Sequence, residues 1–269
     1  MGVKSIFKIK FLITISLLLL LLTGCKKSGR EASGNPAVKP QLSVAAAANL
    51  RDVLEELKKK YISEYPGKKI EITFGSSGML VQQILNGAPF DLFLSADTKF
   101  PEKLQQAGKT LGTPEIYAYG KLALWSTRQD VSKGLTVLLD PRIKKIAIAN
   151  PELAPYGKSA VEALEKSGLY DKVNHKIVWA ENINQAAQFA SSGNADTGFI
   201  ALSNALNKEM KKRGKYYELP ENISPPIAQS AIIIKGKNED EAKEFMEFIR
   251  SPKAGAIWKS YGYKTAAEH

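Results

Sequence analysis

Apolar and polar positions fall in blocks whose spacing changes along the chain. Leu42-Ser43-Val44-Ala45-Ala46-Ala47-Ala48 is a short apolar run, and Asn49 separates it from Leu50, Val53, Leu54, Leu57, Tyr61 and Ile62, spaced three and four apart. That pattern predicts a strand, a turn and a helix with one buried face. Residues 69–74 alternate as a strand does, and Gly75-Ser76-Ser77-Gly78 leads into a second helical pattern from Met79. Residues 90–95 read as a buried strand, with a further helix through Phe100 and Leu104 to Gly108. Three strand-then-helix units in succession predict an α/β fold built on a parallel sheet with helices on its faces.

The alternation then resumes. Residues 121–126 predict a strand, Asp140-Pro141 a turn, 146–149 a strand, 150–157 a Pro/Gly loop and 158–167 a helix. Strands at 177–179 and 197–202 flank a helix bearing Ala186, Ala187 and Ala190. A proline-rich stretch, 220–226, precedes a strand at 228–234, a helix at 239–250 and a last helix containing Ala254 and Trp258. Phe245, Met246 and Phe248 fall at helical spacing and read as core packing. The Lys-rich segment 209–215 reads as a solvated helix end. Two α/β lobes follow from the alternation.

The first residues change the picture. Lys4, Lys8 and Lys10 precede an apolar run, 11–22, that ends in Leu22-Thr23-Gly24-Cys25. The run is shorter than the roughly 20 residues a membrane-spanning helix needs. With small residues before a cysteine it resembles a bacterial lipoprotein signal, which implies a signal peptide over 1–24 and a lipid anchor on Cys25. Cys25 is the only cysteine, so no disulfide or thiolate chemistry remains for the folded part. Residues 26–40, rich in Gly, Ser, Pro and Lys, read as a flexible tether. Of the formal charge of +11, the signal and tether carry about half. About +5 remains for the folded part, which is no nucleic-acid footprint but suits an anionic solute or an anionic membrane nearby.

Most candidate chemistry fails on spacing. A Ser-His-Asp arrangement would have to use His175 or the last residue, His269, and Gly75-Ser76-Ser77-Gly78 is one residue short of a nucleophile elbow. Gly157-Lys158-Ser159 imitates the end of a P-loop, but Glu152 stands where the first glycine belongs. Without paired histidines, a metal cation would have only carboxylates, and Asp91 and Asp97 read as residues that cap helices or hold loops. The positive signal is different. Asn49, Ser77, Tyr156 and Ile183 each stand between a strand and a helix, two in each expected lobe. Helix starts offer free N–H groups and the positive end of the helix dipole, which suits an anion.

Five stretches, Val44–Leu50, Phe74–Leu80, Gly87–Asp97, Asn150–Gly157 and Gly198–Ser203, resemble the molybdate-binding, substrate-binding proteins of ABC importers, in the periplasmic binding protein type II superfamily. The A-P-x-D-L-F-x-S-A-D run is the most specific of them. The resemblance implies a two-lobed type II fold, each lobe a mainly parallel sheet flanked by helices. Lobe one would comprise 41–121 and 227–269, lobe two 122–226, with a hinge near Lys121 and Ala228. It implies that Asn49 and Ser77 bind molybdate or tungstate through side-chain donors, and Tyr156 and Ile183 through backbone N–H groups. Where some members add a tyrosine hydroxyl, this chain has Ala201. The same resemblance implies a monomer that is not an enzyme, has no cofactor, and delivers its oxyanion to the importer's permease outside the cytoplasm. Sulfate, a small organic anion and an exported hydrolase are the alternatives.

Overall fold

The computed structural model describes residues 42–266, within a compact unit spanning Pro40–His269. The expected signal peptide, Cys25, the tether and His269 lie outside the described residues. The unit contains two sheets and its own apolar clusters, and so can fold without the preceding residues.

Eleven strands are described: β1 (Leu42–Ala47), β2 (Ile70–Gly75), β3 (Leu92–Leu94), β4 (Thr110–Gly120), β5 (Leu122–Ser126), β6 (Ile146–Ala149), β7 (Ile177–Ala180), β8 (Thr197–Ala201), β9 (Lys215–Glu218), β10 (Ile227–Ile234) and β11 (Lys264–Thr265). They form a six-stranded sheet in the order β11-β4-β10-β3-β1-β2 and a five-stranded sheet in the order β7-β6-β8-β5-β9. The helices needed below are α1 (Arg51–Glu64), α2 (Ser77–Leu85), α3 (Lys99–Gln106), α4 (Pro155–Lys166), α5 (Ile183–Ser192), α6 (Lys208–Arg213), α7 (Glu239–Arg250) and α8 (Pro252–Ser260). The chain leaves the first sheet between Gly120 and Leu122. It returns between Glu218 and Ile227, where Ile227 pairs with Gly120.

The architecture is α/β, and both sheets are mixed where mainly parallel ones were expected. β1 runs parallel to β2 and β3, and β6 to β7 and β8, because helical crossovers join them. β10, β4 and β11 are antiparallel neighbours in the first sheet, as are β8, β5 and β9 in the second. β4 is a strand that the pattern did not predict. Gly112 and Pro114 break its alternation, and its pairing to β10 shifts register twice. β9 begins where the Lys-rich segment read as a helix end, since α6 stops at Arg213.

Packing follows the helical pattern. Val53, Leu54, Leu57 and Tyr61 of α1 are buried, and Tyr61 meets Phe245 and Phe248 of α7 edge-on, each at 5.1 Å between ring centroids. The Asp91 carboxylate accepts from the Ser43 amide at 2.7 Å and from Asn238 Nδ2 at 3.2 Å. That of Asp97 accepts from Ser95 Oγ at 2.9 Å and the Phe100 amide at 3.1 Å, a loop-holding role as the sequence suggested. Among the described residues no group of three or more His, Cys, Asp or Glu is placed to hold a metal ion.

Candidate functional site

The parallel strands of both sheets direct their C-terminal ends to one place. β1 ends at Ala47 and β2 at Gly75, while β6 ends at Ala149 and β7 at Ala180, and a helix or turn starts after each. Ligands in α/β folds collect at such ends. A cavity of about 10 Å³ lies there. It is lined by residues 47–49, 75–77, 96, 154–156, 182 and 183, so Asn49, Ser77, Tyr156 and Ile183 all border it. It is smaller than the roughly 300 Å³ at which pockets for organic ligands begin.

Its donors are unspent helix starts. Asn182 caps α5 by accepting from the Asn184 and Gln185 amides, each at 3.1 Å, which leaves the Ile183 N–H uncapped. α4 has no side-chain cap, and Pro155 at its first position brings no N–H, so the Tyr156 amide heads that helix. Gly157 has no Cβ because the Ala149 carbonyl occupies that space, and a glycine therefore lets α4 start hard against the end of β6. This explains the glycine of the false P-loop match. α2 also lacks a side-chain cap, although Ser76 stands at its N-cap position. Ser77 Oγ accepts from the Ala96 amide at 3.1 Å and keeps its own proton to donate. Ser76 Oγ, in a residue 2 % exposed, has no partner at all. Sequence reasoning chose Ser77 from the Ser-Ser pair; the unpartnered hydroxyl of Ser76 becomes visible only in three dimensions.

Asn49 departs from expectation in one respect. It lines the cavity within a 3₁₀ turn, Ala48–Leu50, but both hydrogens of its amide point elsewhere: Nδ2 donates to Gln229 Oε1 and to the Tyr263 hydroxyl, each at 2.9 Å. What it offers a solute is therefore its backbone N–H. Gln229, fully buried on β10, also accepts from the Tyr117 hydroxyl at 3.1 Å and donates through Nε2 to the Tyr156 hydroxyl at 3.1 Å. The Tyr263 hydroxyl donates back to the Asn49 carbonyl at 3.0 Å. Burial pushes the hydroxyls of Tyr117 and Tyr156 well above the ordinary tyrosine range and that of Tyr263 up to about 12, so the network stays uncharged. Its members lie as far as 214 residues apart in sequence, which is why the pattern along the chain did not reveal them.

None of the cavity-lining residues is Lys, Arg, His, Asp or Glu. Hydrogen bonds join the segments that carry the two sheets. The Gly78 amide donates to the Leu153 carbonyl at 2.9 Å, Asn184 Nδ2 to the Ala48 carbonyl at 2.7 Å, and Asn207 Nδ2 to Asp52 Oδ2 at 2.7 Å. His175, the one described histidine, is exposed in the turn before β7 and does not line the cavity.

Known proteins share this architecture. The family profile described as bacterial extracellular solute-binding protein matches residues 42–264. The molybdate-binding protein ModA of Azotobacter vinelandii is 38 % identical over 226 residues, which is 83 % of this chain and 89 % of that protein. A Bacillus subtilis protein provisionally named an ABC transporter substrate-binding lipoprotein is 32 % identical, covering 91 % of this chain and 93 % of its own. The solved periplasmic molybdate-binding protein of Azotobacter vinelandii superposes with a TM-score of 0.77 at 40 % identity, covering 82 % of this chain and 98 % of that one.

Proposed function

The chain belongs to the bacterial extracellular solute-binding proteins, and on that premise we propose that it captures molybdate outside the cytoplasm and hands it to the permease of an ABC importer. It is a binding protein and not an enzyme, like its relatives. The observation that carries the choice of solute is the cavity itself: uncapped helix starts and two serine hydroxyls, with no ionised side chain on the wall. A hydrogen bond to a charged acceptor contributes about 1.5–3 kcal/mol, so several neutral donors together can hold a dianion that has shed its water. The names of relatives that bind molybdate support the same solute.

The site residues in this reading are Asn49, Tyr156 and Ile183 through their N–H groups and Ser77 through its hydroxyl, with the unpartnered hydroxyl of Ser76 beside it as a further donor. Tungstate, a tetrahedral dianion of similar size, binds with molybdate, whereas sulfate is too small to reach every donor at once. The protein works as a monomer of two lobes, 41–121 with 227–269 and 122–226. They close on the anion about the crossings near Lys121 and Ala228, because a solute touching both lobes stabilises the shut form. Cys25 carries the lipid that keeps it at the membrane, in line with the lipoprotein name of the Bacillus subtilis relative.

Calorimetric titration of residues 41–269 with molybdate, tungstate, sulfate and phosphate tests the solute. Tight binding of the first two alone is the expected result, and tight binding of sulfate or phosphate with none of molybdate would refute it. Labelling of the full chain in cells with radioactive palmitate, lost in Cys25→Ser, tests the anchor.

A further inference from the structure

The second sheet carries a separate concave feature at its other end. β5 runs antiparallel to β8, and β8 parallel to β6, so the loop after β5 lies beside the N-terminal ends of β6 and β8. The oxyanion cavity is at the C-terminal ends of β6 and β7. That loop, 126–130, and the α6–β9 turn, 211–215, line a cleft of about 500 Å³. Arg128, Lys211, Lys212, Arg213 and Lys215 stand around it, with Asp130 the one acid on its wall. Lys212 pairs with Glu209 at 3.3 Å and Arg213 donates to the Ser191 carbonyl at 2.8 Å, whereas Arg128, Lys211 and Lys215 face solvent.

The frame beneath these cations is fixed. Ser126 Oγ donates to the Asp196 carbonyl at 2.6 Å and accepts from the Arg128 amide at 3.1 Å and the Gln129 amide at 3.0 Å. Gly214 presses against the Trp125 ring and the Ser126 carbonyl so closely that no Cβ fits there. Half-exposed Tyr216 stands at the margin, where an amphipathic ring suits a lipid–water boundary. The oxyanion cavity is small and has no charged residue on its wall; this cleft is larger and cationic, so it suits phosphate groups presented on a surface.

We propose that this cleft docks on the phosphate headgroups of an anionic phospholipid bilayer and so selects the face that the protein turns to its membrane. The inference rests on the reading that Cys25 is lipidated. Fifteen residues, 26–40, extend at most about 50 Å, so an anchored protein meets the bilayer at an effective concentration on the order of millimolar. An attraction that holds the free protein only reversibly on anionic vesicles is then enough to keep a tethered one in a single orientation.

Residues 41–269, which lack the anchor, are sedimented with vesicles of equimolar phosphatidylglycerol and phosphatidylcholine, or of phosphatidylcholine alone. Binding to the anionic vesicles only, released by roughly 0.5 M salt, is expected. The triple variant Arg128→Gln, Lys211→Gln, Lys215→Gln should lower that binding at least about tenfold. A control with equal charge loss on the other lobe, Lys69→Gln, Lys103→Gln, Lys237→Gln, should retain it. Equal loss in both variants, no binding to anionic vesicles, displacement by millimolar inorganic phosphate, or binding to polyglutamate in place of vesicles would each overturn the proposal. Because this protein carries no lipid, failure here is distinct from failure of the anchor, and molybdate titration of the triple variant reports separately on the oxyanion site.

Discussion

The Gly78 amide donates to the Leu153 carbonyl at 2.9 Å, and a Cβ added at Gly78 would lie 3.0 Å from Leu153 Cα. Gly78 is on α2 and Leu153 precedes α4, so this pair is a direct backbone contact between the parts of the chain that carry the two sheets. Gly78→Ala should hold that contact open without removing any donor. On the proposed closure only the shut form binds fully, so apparent affinity falls with the shut population; a loss of about tenfold is expected by calorimetry. X-ray scattering with saturating molybdate should still show closure, and unchanged affinity would mean that the contact does not limit closing.

The two serines separate affinity from stability. Ser76→Ala removes a buried hydroxyl without a partner, so the unliganded protein should melt at the same temperature or a few degrees higher. Ser77→Ala leaves the Ala96 amide unpaired and should melt lower. Both should weaken molybdate binding by roughly tenfold or more, the share of one hydrogen bond to a charged acceptor. Paired thermal melts and titrations read both effects.

Asn49→Asp preserves shape and changes charge. It replaces the amide that donates to Gln229 and Tyr263 with a carboxylate beside a cavity that has no cation to balance it. Binding of a dianion at neutral pH should fall by about a hundredfold or more, and melting should drop because a buried charge is left unpaired. Retained affinity would show that the anion sits elsewhere.

The buried tyrosines set a pH limit. Tyr117, Tyr156 and Tyr263 hold their protons more tightly folded than unfolded, so the unfolded chain deprotonates first as pH rises past about 10. The stability they contribute is full below that point and is lost progressively above it, through about 12 for Tyr263. Urea unfolding across this range should show the decline. Molybdate affinity should stay flat between about pH 6 and 9, since no lining group titrates there. A step in affinity near pH 6.5 would point to a histidine that this cavity does not contain.

The strands β1, β2, β3, β6, β7 and β8 were legible in the sequence because short apolar runs alternate there with helical spacing. β4 was not, since Gly112 and Pro114 interrupt it and only its neighbour β10 makes it a strand. Helix starts could be located from the loops, and the family resemblance singled out Asn49, Ser77, Tyr156 and Ile183 among them, all four of which border the cavity. The direction of the Asn49 amide could not, because Gln229 and Tyr263 capture it from 180 and 214 residues away.

In the proposed site uncharged donors alone enclose the anion, and a crystal structure of the protein grown with molybdate would show this. Molybdate should lie among Asn49, Ser77, Tyr156 and Ile183, with no lysine or arginine nitrogen in hydrogen-bonding reach of its oxygens. An anion neutralised by a cationic side chain, or bound outside this cavity, would contradict the account.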